Sequence, residues 1–279
     1  MYNEFFGFHE SPFTIAPDPK YLYLSERHQE ALAHLLYGVS GQGGFVVLTG
    51  EVGTGKTTLC RRFLEQIPEH VDIALVLNPR VSARELLATI CRELGLPETG
   101  ERSIMALINQ LNDYLLKAHA RGRHTLVVID EAQNLSVEVL EQVRLLTNLE
   151  TENTRLLQVV LFGQPELNVL LNKASLRQLK QRITFQYHLA PLDRASVAQY
   201  LRHRLARAGY NGGELFAPAA LRLITKASGG IPRLVNILAH KSLLAAWGRG
   251  DALVVRWHVM QAMRDTDSAY RVGFFGRWL

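Results

Sequence analysis

The sequence predicts an α/β protein in which a parallel sheet covered by helices is followed by an all-helical domain. Five short apolar runs alternate with longer amphipathic segments between residues 45 and 189, which is typical of a parallel sheet covered on both faces. Beyond residue 190 only helical patterns remain. The 279 residues suffice for one large or two moderate domains, and 47% hydrophobic with 20% charged residues is a globular composition.

The elements of the first part follow one another in a regular order. Residues 2–19 are aromatic and contain several prolines, so we expect an irregular packed segment, and a helical pattern begins at Ser25. The predicted strands are Phe45–Thr49, Ile73–Leu77, Thr125–Ile129, Leu157–Phe162 and Phe185–Leu189. The predicted helices between them begin at Gly55, Ser82, Ser103 and Ser136. Ser82 and Glu85 have the spacing of a capping box.

The second part is predicted to be a helical domain that begins near residue 190. Its helices, which glycines separate, are predicted at Asp193–Ala208, Pro218–Ala227, Pro232–Trp247 and Arg256–Arg264. We therefore expect residues 1–190 to form a core domain that includes the N-terminal aromatic segment. Residues 191–267 are expected to form the helical domain, and residues 268–279 a tail.

The tail combines aromatic residues with two arginines and no acid. Aromatic rings interleaved with arginine suit a membrane interface, where rings lie at headgroup depth and cations meet anionic lipid. Packing of these rings on the protein's own helical domain is the favoured alternative. Binding to a partner protein in the inner membrane is a third.

Composition disfavours several classes of protein. No apolar stretch approaches the roughly 18–20 residues that span a bilayer, and the N-terminus shows no basic-then-apolar signal. Cys60 and Cys91 are too few for a disulfide framework or a cysteine-based zinc site. We therefore expect a cytoplasmic protein.

The charge is unevenly distributed along the chain. The net charge is +5, but residues 190–279 contain 13 Lys and Arg against 5 Asp and Glu. This asymmetry indicates an acidic partner such as nucleotide phosphates, nucleic acid or an anionic lipid surface. The alternative is that these arginines simply face water.

Residues 50–57 match the phosphate-binding loop pattern G-x-x-x-x-G-K-[ST], with a predicted strand before it and a predicted helix after it. The glycines let backbone N–H groups converge on a phosphate at a helix N-terminus. Lys56 is expected to contact the β- and γ-phosphates, and the Thr57 hydroxyl to bind Mg²⁺. The residues predicted to bind ATP here are Gly50, Glu51, Val52, Gly53, Thr54, Gly55, Lys56, Thr57 and Thr58.

Two acids follow the third predicted strand. Apolar residues 126–129 lead directly into Asp130 and Glu131, and open α/β sheets bind ligands at the carboxyl ends of their strands. Asp130 is expected to complete the Mg²⁺ shell. Glu131 is expected to act as the general base that activates water, which a site for binding alone does not need.

Three weaker signals extend the predicted site. Gln164 follows the fourth strand, where its amide is placed to bind the γ-phosphate or the water, with an ordinary turn residue as the alternative. Arg182, more than Arg177, is a candidate arginine finger acting on a neighbouring subunit, with a surface arginine as the alternative. Arg233 opens a helix after Gly229–Gly230 and is a candidate contact to the nucleotide.

Together these residues resemble the AAA+ ATPases. Residues 50–57 resemble the Walker A motif and residues 126–131 the Walker B motif, while Gln164, Arg182 and residues 230–233 resemble sensor 1, the arginine finger and sensor 2. The helical part resembles the lid of that family. The resemblance implies a P-loop NTPase core with a five-stranded parallel sheet in the order 5-1-4-3-2, an all-helical lid, and ATP with Mg²⁺ bound between them.

A narrower resemblance involves residues 2–28 and 160–167. They are similar to the general secretion pathway protein A (ExeA) group, and most similar to its shorter MshM-type members, the ATPases of MSHA (type IV) pilus biogenesis. This implies a bacterial ATPase that drives assembly of an envelope machine, either a pilus or a type II secretion system. Its expected partners are inner-membrane assembly proteins and further copies of itself on ATP binding, and peripheral attachment to the inner membrane stays open.

Two other functions are compatible with the same motifs. A DNA-dependent ATPase, such as a transposition target selector or an initiator-like loader, shares the core and has a basic lid. A scaffold gated by nucleotide binds ATP with little turnover, and the presence of Glu131 argues against it.

Overall fold

The computed structural model describes residues 2–15, 18–39, 44–77, 79–97, 103–149 and 155–269, which form two compact units. The sheet unit comprises the described parts of Glu26–Gly50 and Leu59–Leu189. The helical unit comprises the described parts of Met1–Ser25, Glu51–Thr58 and Ala190–Leu279. Apart from Ser268 and Ala269, the tail lies outside the described residues.

The strands and helices alternate through the first two thirds of the chain. The strands are β1 (Gly44–Gly50), β2 (Val71–Val76), β3 (His124–Ile129), β4 (Leu157–Gly163) and β5 (Ile183–Leu189). The helices are α1 (Tyr2–Phe6), α2 (Glu26–Val39), α3 (Lys56–Leu64), α4 (Ala83–Glu93), α5 (Ile104–Ala120), α6 (Val137–Leu146), α7 (Pro165–Leu171), α8 (Arg177–Lys180), α9 (Arg194–Arg207), α10 (Pro218–Ser228), α11 (Pro232–Arg249) and α12 (Arg256–Arg264). Within the described parts of the chain, we find no helix whose length and apolar character would let it cross a bilayer.

The five strands form one parallel sheet in the order β2-β3-β4-β1-β5, which confirms the predicted fold class and strand order. Every residue of β1 and β4 is buried, as expected for continuous apolar strands covered on both faces. The edge strand β5 instead alternates between half-buried and exposed residues until its buried last residue, Leu189.

The register brings the carboxyl ends of three strands to one edge of the sheet. Thr49 of β1 lies opposite Gly163 of β4, and Ile129 of β3 lies opposite Leu161 of β4. Asp130 and Gln164, which follow β3 and β4, are therefore placed at the same edge as the end of β1.

Serine caps fix the starts of three helices in the sheet unit. The side chains of Ser82, Ser103 and Ser136 each accept a hydrogen bond from the backbone N–H three residues later. Ser82 and Glu85 form the predicted capping box. Periodicity does not predict α1 and α7, because 5 and 7 residues are too few to show a helical repeat.

The N-terminal segment packs within the helical unit. Four of its aromatic side chains, together with the nearby Tyr21, lie in the same hydrophobic cluster as the buried residues of α9–α12: Tyr2, Phe6, Phe8 and Phe13. The buried Arg204 of α9 donates from Nε to the Pro12 carbonyl, and its guanidinium lies 4.4 Å from the centre of the Tyr21 ring. We predicted from the sequence that this segment belongs to the sheet domain. Its rings instead form part of the hydrophobic core of helices that lie far away along the chain.

Candidate functional site

The phosphate-loop sequence is curled around one carbonyl oxygen in the helical unit. The Glu51 carbonyl accepts hydrogen bonds from the Thr54 backbone N–H (3.3 Å), the Thr54 hydroxyl (2.8 Å) and the Lys56 ammonium (3.0 Å). Thr54 and Lys56 are buried, with 1% and 6% of their surface exposed. Lys56 is also the first residue of α3, so its charge lies at a helix N-terminus inside the curl of the loop.

The glycines of this loop have conformations that other residues rarely adopt. Gly53 has φ +83° and Gly55 has φ +101°. The Gly53 carbonyl accepts a hydrogen bond from the backbone N–H of Arg233 in α11 (3.3 Å), and a Cβ on Gly53 would lie 2.7 Å from the Arg233 Cβ. The loop and the start of α11 therefore approach as closely as a glycine allows. Arg233 lies beside the loop, and its contact with the nucleotide stays a prediction.

The other predicted residues of the loop differ in exposure. Gly50 is the buried last residue of β1, while Glu51, Val52 and Thr57 are exposed and Thr58 is half-buried.

Asp130 is buried at the end of β3. Its backbone N–H donates to the Val76 carbonyl (2.9 Å), and its Oδ1 accepts the Glu131 backbone N–H (2.9 Å). Burial, together with the negative charge of Asp130, raises the pKa of the Cys60 thiol to about 12. The thiol is therefore neutral at physiological pH.

Glu131 has the left-handed backbone conformation, with φ 55° and ψ 37°. Among the described residues it is the one non-glycine residue with positive φ. Such a conformation costs roughly 1–2 kcal/mol for a residue with a Cβ, and strain of this kind is concentrated at functional sites.

Two amides hold the Glu131 carboxylate. Its Oε2 accepts hydrogen bonds from Gln133 Nε2 (2.5 Å) and from Gln164 Nε2 (3.1 Å). The backbone N–H of Gln164 in turn donates to Gln133 Oε1 (3.0 Å). The structure thus brings together the predicted residues Glu131 and Gln164, and adds Gln133.

Arg182 lies at the other edge of the sheet. It immediately precedes β5, at the amino end of that strand, and its guanidinium donates to the Thr147 hydroxyl at the end of α6 (2.9 Å). Within one chain the structure does not bring Arg182 together with Glu131 and Gln164, and a role in a neighbouring subunit stays a prediction.

Sequence reasoning missed two polar groups at the carboxyl edge of the sheet. Gln133 follows Glu131 by two residues, and this proximity to the predicted base is the signal that could have found it. The buried Thr49 hydroxyl accepts from Asn168 Nδ2 (3.2 Å) and lies 3.2 Å from His188 Nδ1. No sequence pattern indicates this contact, because three separate elements supply its residues.

Comparisons with known proteins agree with this architecture. The sequence profile described as an AAA domain matches residues 39–171. General secretion pathway protein A of Aeromonas hydrophila is 52% identical over 262 residues, which cover 94% of this chain and 48% of that protein. The chain spans about half the length of the curated relatives it matches.

Solved structures show the same fold. The Aeropyrum pernix ORC2 protein superimposes with a TM-score of 0.64 at 20% identity, covering 92% of this chain and 71% of its own. Cdc6p of Pyrobaculum aerophilum superimposes with a TM-score of 0.65 at 19% identity, covering 94% and 70%. With its five-stranded parallel sheet, its phosphate-loop sequence and the AAA domain at residues 39–171, the chain has the fold of the AAA P-loop NTPases.

Proposed function

We propose that this chain is an AAA+ ATPase that binds ATP and hydrolyses it to ADP and phosphate with Mg²⁺. The observation that carries the proposal is the phosphate loop, which buries the Lys56 ammonium in a curl with two positive-φ glycines at the start of α3. A nucleotide phosphate is the anion for which such a loop is suited.

The donor set also fits the metal. Mg²⁺ prefers oxygen ligands and usually combines one or two protein groups with substrate phosphates. The Thr57 hydroxyl and the Asp130 carboxylate are the protein groups that would hold it. When bound, Mg²⁺ neutralises charge on the phosphates.

In the proposed reaction Glu131 takes a proton from a water molecule while the oxygen of that water forms a bond to the γ-phosphorus. The bond from that phosphorus to the β–γ bridging oxygen breaks, and the electron pair leaves with ADP. Lys56 stabilises charge on the phosphates. Gln164 is proposed to contact the γ-phosphate or the water, and Arg233 the nucleotide. Residues 191–267 are proposed to act as the lid, which would couple turnover to movement of a partner.

The biological role we propose is assembly of a bacterial envelope machine. The support is the 52% identity to a protein named general secretion pathway protein A. The finer version of the proposal is MSHA (type IV) pilus biogenesis, with inner-membrane assembly proteins as partners, peripheral attachment to that membrane, and homo-oligomers completed by Arg182. Replacing the chromosomal gene by a Glu131→Gln allele distinguishes the two roles. Loss of surface pili with normal secretion supports pilus biogenesis, and loss of secretion with normal pili supports type II secretion.

A second candidate is a DNA-dependent ATPase. The helical unit presents several exposed basic side chains, namely Arg194, Arg202, Arg207, Arg222, Lys226, Arg256 and Arg264. Contacts of such residues to phosphates weaken steeply with salt. Duplex DNA that stimulates turnover at low salt, with the effect lost at high salt, would favour this candidate, and no stimulation at either salt would reject it.

Two substitutions test the proposed hydrolysis. Lys56→Ala should abolish binding of a fluorescent ATP analogue, because it removes the charge that faces the phosphates. Glu131→Gln should keep that binding but lower turnover roughly 10²–10⁴-fold, because general-base assistance is lost. Lys117→Ala and Glu138→Gln, at exposed positions, are matched controls. Parental turnover in Glu131→Gln would contradict the assignment of the base.

A further inference from the structure

The side-chain amide of Gln133 joins the proposed base to the end of β4. Its Nε2 donates to Glu131 Oε2 and its Oε1 accepts the backbone N–H of Gln164. A glutamine amide is planar and carries donors on one end and an acceptor on the other. Hydrogen bonds at both ends therefore fix the rotation of this amide, with its donor end directed at the carboxylate.

The carboxylate of Glu131 is constrained at three points. Its backbone is held in the left-handed conformation, and its Oε2 accepts from both Gln133 and Gln164. Because both amides bind the same oxygen, rotation of the carboxylate is restricted. Oε1 is then the oxygen best placed to accept a proton.

We infer that Gln133 is a positioning residue that orients the Glu131 carboxylate so that Oε1 receives the proton from the attacking water. This inference rests on the proposed ATP hydrolysis. Gln133 does not need to touch ATP for this role. It supplies the donor that keeps Glu131 in one orientation while Gln164 changes its partner from Glu131 to the γ-phosphate.

A purely structural role for Gln133 makes a different prediction, because that role depends on the amide oxygen, Oε1, and not on the amide nitrogen. Gln164 begins α7 without a side-chain cap, and its N–H is held by Gln133 Oε1. If Gln133 only anchors this turn, an acceptor at residue 133 is sufficient. If Gln133 positions the base, the donor at residue 133 is essential.

Gln133→Glu separates the two roles, because it keeps an acceptor for the Gln164 N–H and replaces the donor by a negative charge. Gln133→Met removes both hydrogen bonds at similar length. Assayed at pH 8, to keep the introduced carboxylate ionised, both variants should lower kcat roughly 10–100-fold, a loss typical of a misplaced catalytic group. The affinity for a fluorescent ATP analogue should stay within twofold. Gln110→Glu, which alters an α5 amide that donates to the Pro97 carbonyl, is the matched control.

A double-mutant cycle completes the test. If Gln133 acts through Glu131, adding Gln133→Glu to Glu131→Gln should produce no further loss of turnover. Parental kcat in Gln133→Glu with a low kcat in Gln133→Met would overturn the inference and support a role in anchoring the turn. Hydrolysis itself would still stand in that case, provided that turnover of the wild type exceeds that of Lys56→Ala. Equal turnover in wild type and Lys56→Ala would instead reject the proposed hydrolysis and the inference with it.

Discussion

Gly53→Ala should destabilise the helical unit by roughly 1.5–3.5 kcal/mol. A Cβ at φ +83° costs about 1–2 kcal/mol in backbone strain. The same Cβ would lie 2.7 Å from Arg233 Cβ and 3.2 Å from Ile231 Cγ2, so the loop and the start of α11 must separate. This separation breaks the hydrogen bond between the Arg233 N–H and the Gly53 carbonyl, which contributes roughly 0.5–1.5 kcal/mol.

Tryptophan fluorescence during urea unfolding measures this effect, because all three tryptophans lie between residues 247 and 278. Gly250→Ala is the matched control, since Gly250 has φ +74° in the same unit and a Cβ on it would meet no other atom within 4 Å. Adding Arg233→Gly to Gly53→Ala removes the clashing Cβ and should recover part of the loss. Equal losses of stability in Gly53→Ala and Gly250→Ala would refute the reasoning.

Three other predictions concern separate parts of the chain. Hydrogen bonds from Arg123 and Tyr114 lower the pKa of Asp72 below its usual 3.8, so Asp72→Asn should lower stability by about 1 kcal/mol at pH 7. That difference should shrink as the pH falls below 3.8, and acid titration of both proteins by circular dichroism measures it. The free energy of unfolding, measured with urea, should be about 1 kcal/mol higher for Glu131→Gly than for Glu131→Ala, because glycine tolerates positive φ. The opposite order would contradict backbone strain at residue 131. Mixing inactive Arg182→Ala and Lys56→Ala proteins should restore some turnover if Arg182 acts in a neighbouring subunit, whereas Arg177→Ala alone should retain parental activity.

The sheet was predictable because its sequence signals are local. An apolar strand such as β1 followed by a glycine-rich loop needs no knowledge of distant residues, and the Ser82 cap depends on neighbours within one turn. The resemblance to a family supplied the strand order. The partners of the N-terminal segment could not be predicted in this way, because Tyr2 and His240, whose side chains lie 2.8 Å apart, are separated by 238 positions.

In the candidate site, too, the residues of local motifs could be predicted and the contacts between distant segments could not. Lys56, Asp130 and Glu131 belong to contiguous motifs, so their positions follow from the sequence. The left-handed backbone of Glu131 has no sequence signature, because any residue with a Cβ is strained there. The function of Gln133 depends on that backbone and on the end of β4, and it becomes visible only when the three amide contacts are seen together.

The packing of the N-terminal segment in the helical unit has a consequence for synthesis on the ribosome. Residues 2–15 are synthesised well before the helices that cover their aromatic rings, because those helices follow residue 190. At roughly 5–20 residues per second, about 10–50 s pass before the partners of these rings are complete, and in that time the sheet unit emerges and can fold. During that interval the aromatic side chains of this segment are uncovered in the nascent chain, which favours binding of a chaperone to the segment during translation.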